Sequence, residues 1–143
     1  MRAVLDVGQY VSATIRADGH PAQVLAAWRD GQFELVRSQP ILDDLRRVLA
    51  YPRIRKYHRF SDEEIALFVD ALALAAQLAP AHLELRGVPD DPTDDKVLAC
   101  AVEGQAEYIV SSDQHLLKMD GYEQIAIVPP RRFLERLRHT PSR

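Results

Sequence analysis

A chain of 143 residues, 47% of them hydrophobic, suits one domain with a full core. Its net charge of -3 excludes a global positive field for recruiting nucleic acid, so any such contact must be local. The one cysteine excludes an internal disulfide; with no signal peptide and no apolar run long enough to span a bilayer, the expected setting is a reducing cytoplasm.

The chain opens with Arg2, Ala3, Val4 and Leu5, an apolar run that ends in Asp6. This predicts a buried first strand with a carboxylate at its tip. Gly8 and Gln9 read as a turn, and Val11 to Ile15 as a compact, helix-like piece. Asp18, Gly19 and His20 break it before Pro21, which is well placed to begin a helix carrying Val24, Leu25 and Trp28. Trp28 is expected as a core or partner-facing anchor rather than a stacking platform.

Phe33 to Val36 predicts a second strand, ending at Arg37 and Ser38. In the following QPILDDLRRVLAYP, the apolar positions Ile41, Leu42, Leu45, Val48 and Leu49 recur at helical spacing. On that wheel Asp44 falls at the margin of the apolar stripe and Asp43 points away. From Arg46 to Phe60 six Lys or Arg residues, among them Arg46, Arg53, Arg55 and Lys56, alternate with Tyr51, Tyr57 and Phe60. Such interleaving suits phosphate neutralisation with base stacking. It equally suits a solvated helix end whose cations offset acids elsewhere.

Ser61 and Glu64 form a capping box at the start of a helix expected to run to Pro80, with Ile65, Phe68, Val69, Leu72 and Ala76 on one apolar face. That face is expected to cover the sheet and to offer a dimer surface. HLELRGV, residues 82–88, is a third strand candidate. DPTDD then turns into a helix: Pro92 fixes its own φ, and Thr93 and Asp94 offer capping oxygens. The helix runs through Val97, Leu98, Ala101 and Val102 to a stop at Gly104, with Cys100 expected as a small packed side chain rather than a nucleophile. At about 100° per residue, Asp94 lies on the inward stripe while Asp95 turns toward solvent.

EYIV, residues 107–110, predicts a buried strand that ends in Ser111, Ser112 and Asp113. Residues 118–123 form a polar connector, IAIV a fifth strand and PPRRFLERLRH a basic helix packed through Phe133, Leu134 and Leu137. Residues 1–139 are expected as one domain and 140–143 as a frayed tail. Strands alternating with helices imply a single three-layer α/β/α domain around a central parallel sheet of about five strands. In such a sheet the strand tips share one rim, which collects Asp6, Asp44, Asp94 and Asp113. Converging carboxylates need a metal or a basic partner; alternatively, each of Asp94 and Asp113 only caps its helix.

MRAVLDVGQYVSATI, SQPILDDLRRVL, DPTDDKVLACAVEGQAEYIVSSDQHLL and IVPPRRFLERL together resemble the PIN-domain family, in particular its toxin components of prokaryotic toxin-antitoxin systems. The resemblance runs in order over nearly the whole chain and is most specific in the third block. It implies a PIN-like nuclease domain over residues 1–139 and places the family's metal-binding acids on Asp6, Asp44, Asp94 and Asp113. The family usually has Glu where Asp44 stands and often Thr where Ser111 stands. It also continues the first aspartate with Thr and Asn, where this chain has Val7 and Gly8.

The implied activity is metal-assisted hydrolysis of RNA phosphodiesters, with Mg²⁺ or Mn²⁺ held directly by Asp6, Asp94 and Asp113, and by Asp44 directly or through water. Implied partners are an RNA substrate, a protein antitoxin and a second copy in a homodimer. Ser111, His115, Arg46, Arg53, Arg55 and Lys56 are candidate substrate contacts. His20, His58, His82, His115 and His139 share no ligand spacing and are expected to be structural or exposed. The departure at Val7 and Gly8 supports a rival reading, a catalytically weak module that binds RNA or an antitoxin. A phosphoacceptor receiver domain is disfavoured, since Leu5 precedes Asp6 and Pro129 follows Val128.

Overall fold

The computed structural model describes residues 1–79 and 92–139, without the side chains of residues 92–94. The first strand, β1 (Arg2–Leu5), is buried over its last three residues and passes at Asp6 directly into α1 (Val7–Ile15). Gly8 and Gln9 are therefore helical and make no turn. Asp6 caps the helix, its Oδ1 accepting from the Gln9 N–H at 3.1 Å, and this lets the helix start without a connector. Next come α2 (His20–Arg29), with Pro21 in its first turn, and β2 (Glu34–Arg37).

Ser38 caps α3 (Gln39–Leu49), which buries Ile41, Leu42, Asp44, Leu45 and Leu49 and leaves Asp43 exposed. A short α4 (Pro52–His58) leads to α5 (Asp62–Ala75), whose capping box is formed in both directions: Ser61 Oγ accepts from the Glu64 N–H and Glu64 Oε1 from the Ser61 N–H. The helix stops at Ala75, short of the expected Pro80. Ala76 is extended and Gln77–Leu78 form β3 beside β2. The strand candidate at 82–88 and the tail at 140–143 lie outside the described residues.

The second half comprises α6 (Pro92–Glu103), β4 (Tyr108–Val110), α7 (Gln114–Leu117), β5 (Gly121–Tyr122), β6 (Ile125–Val128) and α8 (Pro130–Arg138). Strand order in the six-stranded sheet is β3-β2-β1-β4-β6-β5. All pairings are parallel except β5 with β6, so the polar connector at 118–123 contains a strand that the sequence reading did not foresee. With its eight described helices this is a three-layer α/β/α arrangement.

Helix pairs α8 with α2, α2 with α1, α1 with α3 and α3 with α5 are in contact, and α6 lies against β1, β2 and β4. Phe133 fills the core beside β4 and β2, edge-on to Phe33 at 5.0 Å and to Tyr108 at 5.5 Å. α6 comes so close to β2 that a Cβ on Gly104 would collide with Val36 Cγ1, so the helix ends on a glycine for want of space. Because β1, β2, β4 and β6 run the same way, Asp6, Ser38, Ser111 and Pro129 emerge on one rim.

Candidate functional site

Asp6 is 9% exposed at the junction of β1 and α1. Its Oδ2 accepts a very short hydrogen bond from the Ser111 hydroxyl, which comes from the end of the neighbouring strand β4. Ser111 Oγ in turn accepts from the Asp113 N–H at 2.9 Å, so one fully buried hydroxyl joins two of the expected acids. Burial pushes the Asp6 carboxyl up to about 6. The bonds from Ser111, Gln9 and Gly8 oppose that rise, and the Asp113 charge adds to it. Among the described residues no lysine or arginine pairs with Asp6 or Asp113.

Asp113 caps α7, its Oδ1 accepting from the His115 N–H at 2.9 Å, so its capping role is realised. The side chain is half-buried, however, and its charge is felt at Asp6. Asp94 sits in the first turn of α6, and its side chain is outside what is described. Asp95 is half-buried rather than turned to solvent, while Val97, Leu98 and Ala101 are buried as expected.

Asp44 is set apart from the other acids by its partners. It is 5% exposed, and both its oxygens meet cations. Arg47 Nη2 donates to Oδ1 at 2.9 Å, and Lys96 Nζ lies 3.0 Å from Oδ2 and 3.2 Å from Oδ1. Lys96 went unnoticed in the sequence because it sits amid the aspartates that begin α6. Its partner comes from another helix, 52 residues away.

Gln9 was also missed. It is 2% exposed, its Nε2 donates to Ser112 Oγ at 2.9 Å, and its Oε1 is buried without a partner. The signal that could have found it is the Asp-x-x-Gln spacing from Asp6, a variant of the capping box. Gly8 is constrained by the same carboxylate, since a Cβ there would stand 3.3 Å from Asp6 Oδ1.

The basic run divides. Arg46 bonds Asp70 at 3.2 Å and Arg55 bonds Asp62 at 2.7 Å, both offsetting acids of α5. Arg53 and Lys56 lie instead against the rings of Tyr51 and Tyr57, at 5.9 and 5.1 Å. His115 is exposed. His58 is buried: its Nδ1 accepts from the Phe60 N–H and its Nε2 donates to the Leu49 carbonyl, both at 2.9 Å. Cys100 is buried as expected.

The model of the PIN domain family matches residues 2–115, from β1 into α7. The chain belongs to the PIN-domain family. No curated protein matches it. PIN domains are generally nucleases and typically depend on a divalent metal, so the fold here is of nuclease type. The hard carboxylates on the rim of this PIN domain suit Mg²⁺ or Mn²⁺, and Asp6 lacks a protein cation among the described residues. Among those residues no three His, Cys, Asp or Glu side chains form a group that could hold a metal ion. The side chain of Asp94, the third expected direct ligand, is outside that set.

Proposed function

We propose that this PIN domain is a Mg²⁺- or Mn²⁺-dependent endoribonuclease and the toxin of a toxin-antitoxin pair. The observation that carries the reading is the Asp6 carboxylate, buried beside Asp113 and joined to it through Ser111, with no protein cation at hand among the described residues. A buried carboxylate next to a second one is costly unless a cation meets them. Asp6, Asp94 and Asp113 are the proposed direct ligands. Asp44, whose oxygens already meet Arg47 and Lys96, is proposed to act through water. When bound, the ion supplies a water of lowered pKa and stabilises the departing 3′ oxygen. The protein's own part is to hold Asp6 in one orientation, through the Ser111 hydroxyl and the Gln9 amide, and to keep the pocket largely dry.

A cytoplasmic setting and a protein antitoxin follow from the toxin reading. The α5 face expected to offer a dimer surface is instead taken up inside the fold, with Ile65, Val69 and Leu72 buried, so the homodimer is proposed on Leu67 and Leu74, which stand 69% and 89% exposed on α5. The second reading, a weak module that binds RNA or an antitoxin without cutting, is favoured by Val7 and Gly8 standing where the resemblance has Thr and Asn. Incubation of the purified chain with single-stranded RNA and Mn²⁺, with and without chelator and beside Asp94→Asn, separates the two. The nuclease reading expects cleavage that needs metal and vanishes in the variant. RNA retained intact under all conditions overturns it in favour of the module.

A further inference from the structure

Among the described residues, the buried side-chain polar atoms without a hydrogen-bond partner are Gln9 Oε1, Tyr10 Oη and Arg37 Nε. Of the three residues, Gln9 alone bonds the Asp6 carboxylate. It is 2% exposed and reaches both halves of the acidic pocket. Its backbone N–H donates to Asp6 Oδ1 at 3.1 Å, and its Nε2 donates at 2.9 Å to Ser112 Oγ, between Ser111, which holds Asp6 Oδ2, and Asp113. Oε1 belongs to the same flat amide as Nε2, so it too is kept beside the segment 111–113. Turning the amide over would exchange its ends and still leave one of them buried without a partner.

Helix chemistry does not call for this arrangement. A glutamine three residues after an N-cap ordinarily returns its side chain to the backbone N–H of the cap. Here the Asp6 N–H already donates to the Val110 carbonyl at 3.2 Å, and the amide goes to Ser112 instead. A buried acceptor with nothing to accept is costly, and in a native fold it marks a place for a water or an ion. Gly8 keeps a side chain away from the same carboxylate, where a Cβ would stand 3.3 Å from Oδ1.

We infer that Gln9 is a positioning residue of the pocket, its Oε1 accepting a hydrogen bond from a water of a hydrated divalent cation held at Asp6 and Asp113. The inference rests on the metal-dependent reading of the pocket for the identity of the ligand. Mg²⁺ keeps several of its waters in protein sites, and the groups around the direct ligands help decide how firmly an ion is held. An amide oxygen suits this place because it is neutral. It accepts from a water without adding to the repulsion between Asp6 and Asp113.

The test is Mn²⁺ binding to the RNA-free chain, followed by the electron paramagnetic resonance signal of free Mn²⁺, for wild type, Gln9→Met, Ser112→Ala and Asp6→Asn, with thermal melts of each in EDTA. Gln9→Met is expected to bind Mn²⁺ about 10–100-fold more weakly than wild type. Ser112→Ala leaves the Gln9 oxygen in place and should lose clearly less. In EDTA Gln9→Met should melt no lower than wild type, because methionine removes a buried acceptor that had no partner and is as good a helix former. A glutamine that only braced the fold would give the reverse, a lower melting temperature with Mn²⁺ affinity intact.

Unchanged Mn²⁺ affinity in Gln9→Met, an equal loss in Ser112→Ala, or a Gln9→Met protein that melts below wild type overturns the assignment alone, provided that Asp6→Asn abolishes binding. Wild-type affinity no better than that of Asp6→Asn removes the metal from the pocket, and the metal-dependent reading falls together with the role of Gln9. A chain that binds Mn²⁺ through Asp6 and Gln9 but leaves RNA whole keeps the Gln9 assignment and loses the nuclease reading.

Discussion

The Ser111 hydroxyl donates to Asp6 Oδ2 across the parallel pair β1 and β4, and the same oxygen accepts the Asp113 N–H. A single side-chain oxygen thus fixes one acid and the backbone of another. Ser111 has no exposed surface, so water cannot replace its hydroxyl at low cost.

Ser111→Ala is therefore expected to destabilise the metal-free protein by about 1–3 kcal/mol, the usual cost of leaving a buried polar group unsatisfied. It also removes an interaction that lowers the Asp6 pKa, so the acid should titrate at higher pH than in the wild type. Ser111→Thr keeps the hydroxyl and should lose less. Urea denaturation of the three proteins checks the order; an alanine variant as stable as wild type would remove Ser111 from the site's support.

Asp6 sets the pH dependence of the metal-free fold. Its pKa rises from 3.8 to about 6 on folding, so between those values the native state holds a proton that the unfolded chain has released. Stability from this group is complete below the unfolded value and is lost as pH rises through the folded one, by about 3 kcal/mol in all. Asp6→Asn should lack that slope. In EDTA it should be more stable than wild type at about pH 8 and show little advantage near pH 4. Denaturation curves at the two pH values decide the matter, and parallel losses in both proteins would refute the assignment.

Gly104→Ala is expected to cost about 1–3 kcal/mol by overpacking. The added methyl would run into Val36, a fully buried β-branched side chain with little freedom to move, and would stand 3.0 Å from the Cys100 carbonyl oxygen. Pairing it with Val36→Ala should recover part of the loss in a double-mutant cycle. Strict additivity would show that space between α6 and β2 is not the cause.

Cys100 is 2% exposed, and burial pushes its thiol up to about 12. At pH 8 it is therefore neutral as well as hidden, and a disulfide reagent such as DTNB should label it only as the chain unfolds. Rapid stoichiometric labelling of the native protein would contradict the packing of α6.

Much of the architecture was legible because local pattern decides burial. The run before Asp6 marked β1, the wheel of α3 separated Asp44 from Asp43, and the Ser61–Glu64 spacing marked the start of α5. β3 and β5 were not legible, since each has two residues and neither can display a period. The premature end of α5 belongs with them: its continuation looks helical, but Gln77 and Leu78 are claimed by the edge of β2.

At the site, the sequence by itself determined which acids stand at the tips of strands and the starts of helices, because strand endings and caps are written in neighbouring residues. Only the tertiary structure decided what each acid meets. Asp6 finds a hydroxyl 105 residues away and Asp44 finds an ammonium 52 residues away. The physical reason is that burial follows from the periodicity of one element, whereas the partner of a buried charge is supplied by whichever distant element packs against it.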